Sequence, residues 1–258
     1  MPEKMLHTFL LYIDILGFGD MCCELDERVD IIYEIIFDMR RHGNQVYEIT
    51  IFSDTVLVRN KGSLDYRSNV QFLVEFFQIL EQRLSDIGVY TRAVMSFDRF
   101  HCHLKDDVYL AYGPAVVAAN RAEKCLKGVG LYLFDSCAEH NVFYDSLQLD
   151  KEKLFYVFTL NAFKKVTDVS FNDLHIITER LAETDDFHLL PQQSRFLRKI
   201  HANSQDASMD DRFRSKYRNV MDMYFEKYPK LVSAFVANDF SPNCVNSEFD
   251  WSIYDKDT

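Results

Sequence analysis

Two aspartates stand where a carboxylate must either find a partner or do chemistry. Asp14 interrupts Phe9–Ile15 (FLLYIDI), a run that is otherwise apolar. A carboxylate inside such a run is costly unless it is paired or binds a metal. The bland alternative is a strand-end aspartate that meets solvent or caps a turn. Asp54 follows Phe52-Ser53 between two stretches of strand character, and Ser-Asp at such a place is also ordinary turn chemistry. If both segments share one sheet, the carboxylates converge. Two oxygen donors with room left for waters and phosphates suit Mg²⁺ or Mn²⁺. Gly17-Phe18-Gly19, just after the first aspartate, leaves main-chain amides open near a helix start, a geometry that can receive a triphosphate.

Other polar residues have competing readings. Arg121 is either a plain surface arginine near a helix end or a charge-stabilising group. Arg92 lies in a strand near the aspartates and either contacts a ligand or pairs with an acidic neighbour. His101-Cys102-His103 has the residue types of a metal site, but neighbours on a strand point alternately and no fourth ligand is apparent. Lys164 and Lys165 could hold a triphosphate, though a lysine pair is usually surface.

The elements that must position these residues follow from periodicity. Phe9–Ile15 reads as a strand buried on both faces. Ile32, Ile35, Ile36 and Met39 share one face of a helix over 27–39, with Gly43 after Arg40 and Arg41 as its end. Val46–Ile51 and Thr55–Val58 form a hairpin with Asp54 at its turn. Val70, Leu73, Phe77, Leu80, Leu84 and Ile87 mark the clearest amphipathic helix, opened by Ser68 with Gln71 as a capping box and closed by Gly88. Strands at Val89–Phe97, Val108–Tyr112 and Val129–Phe134 follow. Gly113-Pro114 opens an Ala-rich helix to about Lys127. The order β-α-β-β-α-β-(β)-α-β gives an α+β, ferredoxin-like domain with a mostly antiparallel central sheet and helices on one face. We place that domain at 1–165. A mostly helical extension at 166–258 contains a helix at Asp211–Tyr228 stopped by Pro229, and a polar, poorly ordered tail from about Ser241.

Composition narrows the class. An apolar fraction of 48% and an aromatic fraction of 14% exclude a disordered chain. A net charge of −11 argues against binding nucleic-acid polymers, although bound cations can reverse the sign locally. Six cysteines without a CxxC spacing suggest free thiols. With neither a signal-peptide pattern nor an apolar run long enough to span a bilayer, we expect a cytoplasmic protein with no membrane association.

Three segments, YIDILGF, ITIFSDTVLV and YLAYGPAVVAANRAE, resemble the catalytic domain of class III adenylyl and guanylyl cyclases over roughly residues 7 to 135. In that family a metal aspartate precedes an aliphatic residue, any residue and Gly-Phe, matched here by Asp14, Ile15, Leu16, Gly17 and Phe18. A second aspartate on a hairpin is matched by Asp54. A later segment, beginning Trp-Gly, carries an asparagine and an arginine four and eight residues after the glycine. Here these positions are Val117 and Arg121, with Asn120 an imperfect stand-in for the asparagine. The purine-reading positions fall on Thr50 and Leu110, neither of which fits a purine reader. The chain is in this respect similar to the pyrimidine cyclases of bacterial Pycsar anti-phage systems.

The resemblance implies a set of expectations. Asp14, Ile15 and Asp54 would bind two Mg²⁺ or Mn²⁺ ions, and Ile15, Gly17, Phe18, Thr50 and Leu110 would line the nucleotide site. Arg121 would stabilise charge at the α-phosphate. The reaction would convert UTP, or CTP, to its 3′,5′-cyclic monophosphate and pyrophosphate. The active sites would be shared across a head-to-tail homodimer, and the product would act on a separate effector. A purine cyclase, a silent nucleotide-sensing or dimerisation module, and a polymerase-like palm domain are the other readings. The hairpin signature of diguanylate cyclases is absent, which counts against the last.

Overall fold

The computed structural model describes residues 6–254 apart from 43–45, 63, 106–107, 150–152, 170–175, 183 and 185. The expected helix end at Gly43 lies outside the described residues. The chain forms two compact units, Met1–Val157 and Phe158–Thr258. The boundary anticipated after residue 165 would cut helix Asn161–Val169 of the second unit.

In the first unit the elements run β1 (Leu6–Ile15), α1 (Phe18–Cys23), α2 (Arg28–His42), β2 (Tyr47–Phe52), β3 (Thr55–Asn60), α3 (Tyr66–Asp86), β4 (Thr91–Lys105), β5 (Val108–Tyr112), α4 (Pro114–Glu123), β6 (Gly130–Phe134), α5 (Asp135–Ala138), β7 (Ser146–Leu149) and β8 (Leu154–Val157). The sheet order is β2-β3-β1-β4-β6-β8-β7, with β5 paired to β4 beside this path. Every described pairing is antiparallel except β4 with β6. This is an open α+β sheet, mostly antiparallel as expected.

Strand parity divides the sheet's two faces. Phe9, Leu11, Ile13 and Ile15 of β1 join Val56 and Val58 of β3 and Ala93 and Met95 of β4 in the main core. Helices α2 and α3 close that core with Ile32, Ile36, Leu73, Phe77, Leu80 and Leu84. The alternate residues of β1, including Tyr12 and Asp14, therefore face the other side. Helix α4 lies there, tied to β4 by Ser96 Oγ donating to Ala115 O at 3.1 Å. Thus the two long helices share one face, and the Ala-rich helix takes the opposite one.

Two helix boundaries differ from the sequence reading. Helix α3 starts at Tyr66, and its N-cap is Asp65, whose carboxylate accepts from Ser68 N at 3.0 Å and Ser68 Oγ at 2.6 Å. Ser68 is thus a donor to the cap and not the cap itself. Aspartate and serine cap free helix amides about equally well, and Asp65 takes the role because the helix begins one turn earlier, at Tyr66. Helix α4 ends at Glu123, short of the anticipated Lys127. Its start needs Gly113, with φ at +150°. A Cβ there would collide with the main chain of Arg99 and Phe100, where β4 bends past the helix start.

The second unit contains α6 (Asn161–Val169), α7 (Thr178–Ala182), α8 (Leu190–Gln205), α9 (Asp211–Lys227), α10 (Pro229–Ala237) and short 3₁₀ turns. Tyr217, Val220, Met221 and Tyr224 form the buried stripe of α9, and Phe158 and Tyr224 meet edge to face at 5.1 Å. The segment from Ser241, expected to be loose, is instead anchored through Trp251, and residues 255–258 of that expectation lie outside the described residues. Asn246 is fully buried and donates to Ile176 O at 2.9 Å, and Trp251 Nε1 donates to Asn246 O at 2.8 Å. Val245 and Trp251 supply the apolar burial that the polar composition of the tail concealed.

Candidate active site

The central position of β1 brings the two aspartates together. Asp14 lies opposite Thr55 of β3 on one side and Arg92 of β4 on the other. Ile15 N donates to Asp54 O at 2.9 Å, which ties the β2–β3 turn to the residue after Asp14. Ser53, at φ 55°, gives that turn its sharp direction. Ile15 has its side chain in the core, so it can offer a ligand only its main-chain carbonyl. Phe18 is buried beneath the β1–α1 turn, while Gly17 and Gly19 are exposed. Gly17, at φ 75°, turns the chain into α1.

Arg92 and Glu123 complete the cluster. Arg92 Nη2 donates to Asp14 Oδ2 at 3.3 Å, and Nη1 donates to Leu126 O at 3.0 Å. The same guanidinium forms an ion pair with Glu123 at the end of α4. Glu123 is 5% exposed, an acidic residue on the apolar stripe of its helix. The sequence reading passed over it. Its signal was the spacing Ala115, Ala119, Glu123, which carries a charge onto the buried face. Of the two readings of Arg92, the structure supports pairing with acidic neighbours.

Two carboxylates share one guanidinium, which leaves one excess negative charge, and Asp54 alongside adds another. Burial raises the Asp14 carboxyl above its ordinary value; Asp54 adds to this, while Arg92 opposes it. Burial also raises Glu123, reinforced by Asp14 and opposed by Arg92. A carboxyl with a raised folded-state pKa binds its proton more tightly when folded. The resulting stability is full below the unfolded pKa and is lost as pH climbs through the raised value. We therefore expect the stability contributed by this pair in the metal-free chain to decline as pH rises from the ordinary carboxylate values of 3.8 and 4.5, against the opposite trend of carboxyls held low by their partners, such as Asp65 and Asp210. Glu123→Gln removes one negative charge and should flatten that decline. Melting curves from about pH 4 to 8 test this, and parallel profiles for the two proteins would refute it.

The remaining candidates fall elsewhere. Arg121 is exposed, on the side of α4 away from buried Glu123, and Val117 is exposed one turn before it. Arg121 thus points away from the carboxylates of the cluster. Asn120 does not substitute for the asparagine missing at Val117. It turns inward, and its Nδ2 donates to Tyr12 Oη at 2.7 Å. Thr50 and Leu110 are not brought to a common face. Thr50 Oγ1 lies 3.7 Å from Cys102 Sγ. Cys102 pairs with Ala111 across the β4–β5 ladder, whereas Leu110 pairs with His103 and projects from its other side. Cys102, weighed in the sequence only as part of a metal site with His101 and His103, is therefore a neighbour of Thr50.

His101 and His103 share that other side, with ring centroids 4.3 Å apart. Among the described residues, however, no group of three histidine, cysteine or acidic residues could hold a metal. Lys164 and Lys165 belong to α6 of the second unit.

No protein-family model matches the sequence, and no curated protein matches it. Solved structures do resemble its fold. A double mutant of the guanylyl cyclase domain of the RhoGC fusion protein from the aquatic fungus Blastocladiella emersonii, in a monomeric crystal structure, aligns with a TM-score of 0.50 and 12% identity, over 60% of this chain and 95% of that one. The catalytic core of a rhodopsin-guanylyl cyclase with converted specificity, in complex with ATPαS, also aligns with a TM-score of 0.50, at 15% identity over 61% of this chain and 98% of that one. The chain thus contains the class III nucleotide cyclase fold, and its structural neighbours are cyclase domains.

Proposed function

We propose that the chain is a nucleotide cyclase acting on a pyrimidine nucleoside triphosphate, UTP before CTP, and forming the 3′,5′-cyclic monophosphate and pyrophosphate. The observation that carries this reading is the convergence of Asp14 and Asp54 beside an under-neutralised acidic cluster, on the face of the cyclase fold away from α2 and α3. The donor set fits hard divalent cations: two carboxylates and the main chain of Ile15, with charge left over to attract them. Asp14, Asp54 and the Ile15 carbonyl would hold Mg²⁺ or Mn²⁺, two ions per site. When bound, such ions lower the cost of activating the 3′-hydroxyl and neutralise the departing pyrophosphate. Glu123 would keep Arg92 neutralised as Asp14 turns to a cation, so that no buried charge is stranded.

Arg121 supports a shared site. It points away from its own carboxylates, so it would reach an α-phosphate only across a homodimer, from the second subunit. Thr50 and Leu110 lack the groups that read a purine, which favours a pyrimidine base and a messenger of the Pycsar kind acting on a separate effector. The purine chemistry in the neighbours' names favours a second reading, an adenylyl or guanylyl cyclase. Among the described residues no helix is long and apolar enough to cross a membrane.

Incubation with ATP, GTP, CTP and UTP in Mn²⁺ or Mg²⁺, read by mass spectrometry, tests both readings. A cyclic pyrimidine that disappears in Asp54→Ala is the expected product. A cyclic purine would retain the reaction and overturn the base assignment. No cyclic product from any nucleotide would leave the fold as a nucleotide-sensing module.

A further inference from the structure

A chain of hydrogen bonds crosses the carboxylate face and ends on Asp54. Asn120 Nδ2 of α4 donates to Tyr12 Oη of β1 at 2.7 Å. Tyr12 Oη lies 3.3 Å from Thr55 Oγ1 of β3, and Thr55 Oγ1 donates to Asp54 Oδ1 at 3.5 Å. The direction of the chain is fixed by its ends. The amide nitrogen of Asn120 only donates, and a carboxylate only accepts. The Tyr12 proton therefore goes to Thr55, and the Thr55 proton to Asp54. The register makes the middle link possible. Tyr12 stands opposite Leu57, so Thr55 is its diagonal neighbour on the same face, within reach of an aromatic side chain. The Tyr12 ring is 5% exposed, held between strand and helix with its hydroxyl directed along this path.

We propose that Tyr12, Thr55 and Asn120 are positioning residues that set the orientation of the Asp54 carboxylate, and that they link it to α4, the helix bearing Arg121. This rests on the reading of Asp54 as a metal ligand. The main chain of Asp54 is anchored by Ile15 N, but that bond leaves side-chain rotation free. Thr55 restricts the rotation, Tyr12 restricts Thr55, and Asn120 restricts Tyr12. Outer partners of this kind typically alter metal affinity by ten-fold or more when removed.

The test is Mn²⁺ titration followed by electron paramagnetic resonance, on the full chain without nucleotide, with melting curves alongside. Tyr12→Phe keeps the buried ring and removes only the hydroxyl. It should weaken Mn²⁺ binding by about ten-fold, with a melting temperature that falls only modestly, because Asn120 Nδ2 loses its acceptor, and stays well above the temperature of the titration. Asn120→Ala should follow in the same direction. Tyr12→Phe combined with Thr55→Val should be no worse than Thr55→Val alone, because Tyr12 acts on Asp54 only through Thr55. Ser96→Ala, which cuts a different tie between β4 and α4, should bind Mn²⁺ as wild type does. If Asp54→Ala loses binding while Tyr12→Phe retains it in full, the positioning chain is refuted and the metal site stands. If Asp54→Ala binds as wild type does, both fall together.

Discussion

Asp54→Ala should reduce cyclic-nucleotide formation at least about 1,000-fold while leaving the fold and melting temperature close to wild type. The size follows from the role: losing a metal ligand removes several kcal/mol of charge stabilisation, and each 1.4 kcal/mol is about ten-fold in rate. The harmless effect on folding follows from position. Asp54 sits in the β2–β3 turn, is only partly buried, and contributes its main-chain carbonyl to Ile15 N, a bond that alanine keeps. Asp14→Ala should be equally inactive, and there too the remaining charges are covered, because Arg92 retains Glu123. Initial rates with the preferred nucleotide, beside circular-dichroism melts, decide the matter. Either variant turning over normally would remove the aspartates from the mechanism.

Two inactive variants should restore activity to each other. Asp54→Ala damages the carboxylate half of a site, and Arg121→Ala the arginine half. If each site takes its halves from different subunits, a mixed dimer holds one site with both defects and one intact. With random exchange about half the dimers are mixed, so about one quarter of the wild-type rate should return. The outward direction of Arg121, opposite Glu123 on α4, is the observation behind this proposal. A mixture no more active than the average of its two components would show that the sites are not shared.

The sequence disclosed what is local and periodic. Helix α3 was legible from its three-and-four spacing, β1 from an apolar run, and both aspartates from their places beside strands. Boundaries set by competition between similar residues were not. Asp65 and Ser68 are both good caps, and only the fold selects between them. The short elements α1, α5, β7 and β8, of four to six residues, carry too few repeats for a period to emerge. Within the site, the Glu123–Arg92 pair and the Tyr12–Asn120 bond were hidden for a different reason. Each acquires meaning only from a partner far away in the chain, such as Asn120 and Tyr12 at a separation of 108 residues. The nearness of Cys102 to Thr50 was hidden in the same way, since the two are 52 residues apart.

The central position of β1 also has a cost in time. Both of its edges are filled by strands that follow it in the chain, β3 and β4. The partners Asp14 and Arg92 are 78 residues apart. At roughly 5–20 residues per second of synthesis, the ribosome takes about 4–16 s to cover that distance. During this interval one of the most apolar segments of the chain has an unpaired edge, the state in which strands associate wrongly. The hairpin of β2 and β3 emerges first and can cover one side, and β4 closes the other. Substitutions that delay β4 would therefore lower the yield of folded chain in cells, even where the finished site is untouched.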